Sequence, residues 1–222
     1  TLAPTMLQFL QNKMFGSHSV PEGWLIAAAG NPPEYNKSVR EFDIVTLDRV
    51  RRMDIEADLE VWMEYAWKKE IHGSILAYLG MKKDHFYSVE NTVDGKFFVT
   101  ARGWEDLSEI LKAYEELGVE ITENLIGEYL CRDEIARSFF ASYQLYRKYG
   151  EDYDLKRLLS GEMTEEEQRK KVKMAEAASF EERFLVTGLL LDGLNASFLD
   201  YEKLDKETDA VYQELLHLKA FL

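Results

Sequence analysis

Asn31 closes the apolar run WLIAAAG (residues 24–30) and is followed at once by two prolines. A carboxamide offers two donors and an acceptor, so at the end of a strand it can hydrogen-bond a phosphate oxygen or orient an attacking water. In open α/β sheets ligands bind beyond the carboxyl ends of the strands, where such a residue would stand. The plain alternative is that Asn31 begins a turn. Other combinations of reactive residue types are weaker. His18, His72, His85 and His217 are scattered and form no i, i+4 pair, so no metal site is expected. Ser17 and His18 are adjacent, point different ways and have no evident orienting acid. Glu64, Glu70 and His72 read as helix-surface residues, and the single cysteine, Cys131, as a small apolar side chain.

Holding Asn31 in place requires a strand before it. Residues 24–29 are continuously apolar, as in a central strand covered on both faces, and GNPP stops the run because neither proline can donate to a ladder. Leu2, Met6, Phe9 and Leu10 predict a helix over 2–13 closed by Gly16. A short helix is expected over 45–50 and a second strand over 51–55. From Ala57 the periodicity turns helical, over 58–69, 71–79, 103–117, 122–130 and 132–149. A polar Glu/Lys-rich section follows at 151–178, then a long helical pattern from 180, with Gly193 as the place to look for a break. The exception is 86–100, FYSVENTVDGKFFVT, where two β-rich runs flank Asp94-Gly95 and predict a hairpin. Phe139, Phe140, Tyr143, Tyr146 and Tyr149 fall at helical spacing and, with Phe184 and Phe198, read as core.

With 46% apolar residues the chain can bury a sizeable core, and no apolar stretch approaches the roughly 20 residues a membrane span needs. The amino terminus lacks a basic segment, so no signal peptide is expected, and a lone cysteine agrees with a reducing cytoplasm. Forty-one acidic against 27 basic residues give a net charge of −14, which repels nucleic acid and anionic membrane.

AAGNPPEYN followed by REFDIVTLDRV resembles the second half of the AAA+ ATPase core, most closely the MoxR-like branch. In that family a strand ends in the sensor-1 asparagine, matched by Asn31, and a short helix ends in a Leu-Asp-Arg arginine finger, matched by Arg49. The resemblance implies that Asn31 holds the water or γ-phosphate within its own subunit while Arg49 reaches the neighbour's nucleotide. Without it, Arg49 would be a surface arginine paired with Asp48 or Asp43. Arg102, in TARGWEDLSEIL, stands where the lid's sensor-2 arginine opens a helix and would contact the γ-phosphate; otherwise it pairs with Glu105 or Asp106. Gly103 and Trp104 depart from the usual lid pattern.

The resemblance covers residues 1 to about 55 well and the lid to about 117 more loosely. No G-x-x-x-x-G-K-[ST] loop and no apolar strand ending in Asp-Glu occurs, so the chain looks like a fragment starting just after the Walker B strand. The expected fold is mostly α with a small α/β portion. It comprises a truncated core (1–55), a helical lid with the hairpin (56–130) and a helical extension (131–222). The resemblance implies an intact protein that uses ATP and Mg²⁺, assembles as a homo-oligomeric hexameric ring and remodels client proteins, among them von Willebrand factor A domain proteins; this fragment alone is expected to bind no cofactor and to be inactive. The competing expectation is a nucleotide-independent helical module that binds a partner protein.

Overall fold

A computed structural model of the chain describes residues 9–30, 44, 48, 50–92 and 95–204, with the side chains of 91–96 and 197–204 left aside. The chain divides into two units, residues 1–56 and 57–222. Its described part is mostly helical, with two small antiparallel sheets.

In the first unit residues 9–12 are helical, and the Phe9 ring meets Phe15 edge-on at 6.2 Å. The chain then turns through Gly16, at φ 60°, into a hairpin of β1 (Met14–Phe15) and β2 (His18–Ser19). The strand expected over residues 24–29 is not formed. That stretch has no regular structure, and Trp24 and Leu25 are 65% and 91% exposed. A strand exists by pairing its amides and carbonyls with a neighbour, and among the described residues no strand runs beside this one. The strand expected over 51–55 fails for the same reason, leaving Met53 and Ile55 in solvent. Of the short helix expected over 45–50, residues 45–47 and 49 lie outside the described residues; the Asp48 amide donates to the Ile44 carbonyl at 3.0 Å.

The second unit begins with α1 (Leu59–Lys68), whose cap Asp58 accepts from the amides of Glu60 and Val61 at 2.8 and 3.1 Å. α2 (Gly73–Met81) is buried along almost its whole length. The hairpin expected around Asp94-Gly95 is formed by β3 (Ser88–Thr92) and β4 (Gly95–Val99), with Thr92 opposite Gly95, so the connection is 93–94, outside the described residues. α3 (Ala101–Leu117), α4 (Glu123–Tyr129) and α5 (Asp133–Tyr153) follow. The polar section resolves into α6 (Leu155–Leu159) and α7 (Glu165–Ala177), and α8 spans Phe180–Leu204.

The main core is aromatic. Trp104, Tyr78 and Phe139 form a triangle with centroid separations of 5.3, 5.3 and 5.9 Å, and the Trp104 indole N–H donates to the Phe86 carbonyl at 3.1 Å. Side chains from α1 through α5 share this cluster, so helices on both sides of residue 130 bury one another. Tyr153, Leu158, Val186, Leu190 and Leu194 build a second cluster.

α2 and α8 pack along a seam of small residues. A methyl group on Gly73 would meet the Tyr146 hydroxyl and the Asp192 carboxylate, one on Gly188 would meet Ala77 at 3.0 Å, and one on Gly80 would meet Phe184 at 3.1 Å. The contacts run in opposite order along the two helices, which are therefore antiparallel. α8 is not broken at Gly193; a side chain there would collide with Leu159 of α6, so this glycine serves close packing.

Candidate functional site

The amino ends of α3 and α2 hold their ionisable groups in contrasting surroundings. The first is the start of α3. Thr100 is extended (φ −135°, ψ 161°) and its hydroxyl accepts from the Gly103 amide at 3.2 Å, a cap that fixes where the helix begins. Behind it, Trp104, Leu107, Ser108 and Leu111 are fully buried. Gly103 lies against the connection between α4 and α5, where a side chain would stand 2.8 Å from the Tyr129 carbonyl oxygen. The same connection holds the hairpin: the Phe98 amide donates to the Cys131 carbonyl at 3.2 Å, and Arg132 donates to Ser88 and Glu90 at 2.5 and 2.8 Å. Gly103 and Trp104, which depart from the lid pattern in sequence, are thus the residues that lock this corner.

Arg102 projects from the corner into solvent. It makes no hydrogen bond or ion pair with another described residue. Glu105, one of the two carboxylates that could have neutralised it, accepts instead from the Tyr65 hydroxyl at 2.8 Å. The first turn of α3 contains no acid. A cation at the positive end of a helix is electrostatically unfavourable for the helix itself, and the two positive features together favour an anion in front of them. Asn31 and Arg49 lie outside the described residues.

The second amino end is that of α2. His72 is not a surface residue as its sequence position suggests; its side chain is 10% exposed. Its Nδ1 accepts from the Ser74 amide at 3.2 Å and lies 2.7 Å from the Ser74 hydroxyl, while Nε2 lies 3.1 Å from Glu115 of α3. The accepting Nδ1 assigns the proton to Nε2, which donates to Glu115. Glu115 also accepts from Tyr143 at 2.7 Å, and Tyr146 donates to Asp192 of α8 at 3.2 Å. Burial would raise the Glu115 carboxyl, but the hydrogen bonds from His72 and Tyr143 and the nearby Arg147 guanidinium hold it below its ordinary value. Tyr143 and Tyr146 are pushed well up, first by burial and then by their carboxylate partners.

Ser74, His72 and Glu115 have the types and order of a nucleophile, a base and its orienting acid. Ser74 is 2% exposed, however, and no substrate carbonyl can reach its hydroxyl. The array does structural work: α2 has no acid in its own first turn, its amino end is capped by the His72 side chain, and His72 is held in turn by Ser108 and Glu115 of α3.

Elsewhere, a shallow cleft of about 250 Å³ between α6 and α7 is lined by Asp154, Arg157, Glu167 and Lys170, among others. Arg157 is engaged there by both oxygens of Glu167, at 3.2 Å each. Among the described residues no group of three or more His, Cys, Asp or Glu side chains could hold a metal ion, and no helix is long and apolar enough to cross a membrane. Comparison with protein-family models, with curated proteins and with solved structures finds no match for this chain.

Proposed function

We propose that this chain is the sensor and lid portion of a MoxR-like AAA+ ATPase, in which Arg102 binds the γ-phosphate of ATP from the lid side. The carrying observation is Arg102 itself, an exposed guanidinium without a described partner, set at the positive end of a capped and clamped helix. A guanidinium presents a planar fork that matches phosphate oxygens. Phosphoryl transfer depends mainly on positioning and on stabilising charge over those oxygens, so a preset cation contributes without reorganising. In the same reading Asn31 orients the attacking water within its subunit and Arg49 completes the pocket of the next subunit in a hexameric ring. ATP with Mg²⁺ would drive cytoplasmic remodelling of client proteins, von Willebrand factor A domain proteins among them. The phosphate-cradling loop and the Mg²⁺ carboxylates are not among these 222 residues and would come from a segment joined to them.

The test is ATP hydrolysis by the polypeptide that joins this chain to such a loop. Arg102→Ala is expected to reduce hydrolysis by about tenfold or more, with Arg102→Lys recovering only part of it, whereas residues 1–222 alone should bind no ATP at micromolar concentration. Unchanged hydrolysis in Arg102→Ala would remove the reading. The competing reading, a nucleotide-independent protein-binding module, is favoured by the exposure of Phe180 and Leu191 on α8.

A further inference from the structure

α7 is held differently from the helices beside it. α8 buries Leu185, Val186, Leu190 and Leu194, and even the short α6 buries Leu158, whereas no residue of α7 is buried. Its apolar side chains Val172, Met174 and Ala175 are only half-covered, where they rest on the second cluster. So little removed area gives little hydrophobic free energy to hold the helix down.

Two described polar links add to it. Both Glu167 oxygens meet Arg157 of α6 at 3.2 Å, and the Lys171 ammonium donates to the Asp152 carbonyl near the end of α5. The Arg157 and Glu167 side chains are 42% and 38% exposed, so salt screens their attraction.

As a helix, by contrast, α7 is self-contained. Its capping box is made by Thr164 and Glu167 of the same segment, and Arg169 and Lys170 pair one turn back with Glu165 and Glu166, at 3.4 and 3.0 Å. The flanking connections do not tie it to its neighbours' ends. Gly161, at φ 72°, follows α6, and beyond the extended Ala178 (φ −71°, ψ 154°) the Ser179 hydroxyl accepts from the Glu182 amide at 3.1 Å, which caps α8 without help from α7.

We propose that α7 is a hinged flap over the second cluster: the Arg157–Glu167 and Lys171–Asp152 links close it, and it lifts as one unit about residues 161 and 178–179 while the helices beneath it stay folded. Lifting uncovers the side of the cluster on which Val172, Met174 and Ala175 rest, and it opens the cleft that Met163 and Met174 line together with Arg157 and Lys171. A lone helix of this length is marginal in water, so its interior amides become exchangeable together once it has lifted. The inference does not depend on nucleotide binding, because it concerns the attachment of α7 within the second unit alone.

The experiment is amide hydrogen exchange of the whole chain at neutral pH in about 0.1 and about 1 M NaCl, corrected for intrinsic rates. Residues 169–176 should share one opening constant, about tenfold or more above that of residues 185–194. It should rise by about twofold or more in the higher salt, with residues 104–111 unchanged. Arg157→Met, which keeps an apolar stem and removes the charge, should speed exchange of residues 169–176 about threefold in the lower salt and shrink their response to salt. Lys171→Met removes the other link and should speed the same residues while leaving 185–194 as in wild type. Exchange of residues 169–176 in step with 185–194, or graded from the helix ends inward, would overturn the flap. So would wild-type exchange in both Arg157→Met and Lys171→Met.

Discussion

The amino ends of α2 and α3 are held in opposite ways. At α2 every described ionisable group is answered: His72 by Ser74 and Glu115, Glu115 by Tyr143, Asp192 by Tyr146. At α3 the frame is equally firm, with Trp104 fully buried and Gly103 against the Tyr129 carbonyl, yet Arg102 faces solvent with no described partner. A satisfied cluster at a packed joint is what holding helices together requires. An unanswered charge on a rigid corner is what receiving a ligand requires, since the frame cost is met before binding.

Trp104→Ala should do the most damage to the α3 frame, because the residue joins α3 to Tyr78, Phe139 and Phe86. A loss of about 3–5 kcal/mol in urea unfolding is expected. A loss below about 1 kcal/mol would mean that the corner is not anchored by this side chain. Gly73→Ala strikes the α2 joint, since the new methyl group must displace the Tyr146 hydroxyl or the Asp192 carboxylate. It should cost about 1–3 kcal/mol and lower protection of α8 more than of α3. A smaller effect is expected of Thr100→Ala, about 1 kcal/mol, read as faster exchange in the first turn of α3.

These sites differ in how much of them the sequence displays. α1 and α3 are legible because their signals are local: Asp58 and Thr100 as caps, followed by apolar residues at helical spacing. The β3–β4 hairpin is legible from Asp94-Gly95 between β-rich runs, although Gly95 itself pairs with Thr92. Residues 24–29 mislead because an apolar run specifies burial or pairing only when partners exist, and pairing is a non-local property. His72 misleads for a related reason. Its partners lie at 74, 115, 143, 146 and 192, on four helices, and no spacing rule connects them. One trace was available: GSILAYLGM is buried nearly all round and begins without an acid, so its amino end had to be served from elsewhere.

A third amino end, that of α7, sharpens the contrast because it is both satisfied and exposed. Thr164 and Glu167 form a capping box, and Arg157 adds a two-oxygen contact to Glu167. The Thr164 amide, then Arg157, then the Thr164 hydroxyl hold the Glu167 carboxyl down to about 2. Its contribution is present above the ordinary glutamate value and is lost as pH falls toward about 2. Glu167→Gln should therefore fray the first turn of α7 at pH 7 with little effect at pH 2, as read by exchange of residues 165–170. Fraying of equal size at both pH values would assign the role to shape instead of charge.

The contrast between a joint and a receiving corner is tested most directly by measuring melting temperature and single-turnover ATP hydrolysis side by side on Arg102→Ala and Asp192→Asn. Both are made in the polypeptide that joins this chain to a phosphate-binding loop. Arg102→Ala is expected to melt within about 2 °C of wild type and to hydrolyse ATP about tenfold or more slowly, while Asp192→Asn, which strikes the Tyr146 contact at the α2 joint, melts lower and hydrolyses within about twofold of wild type. Wild-type hydrolysis in Arg102→Ala, or a fall in its melting temperature of about 5 °C or more, would contradict the account, because Arg102 would then belong to the fold and not to a ligand.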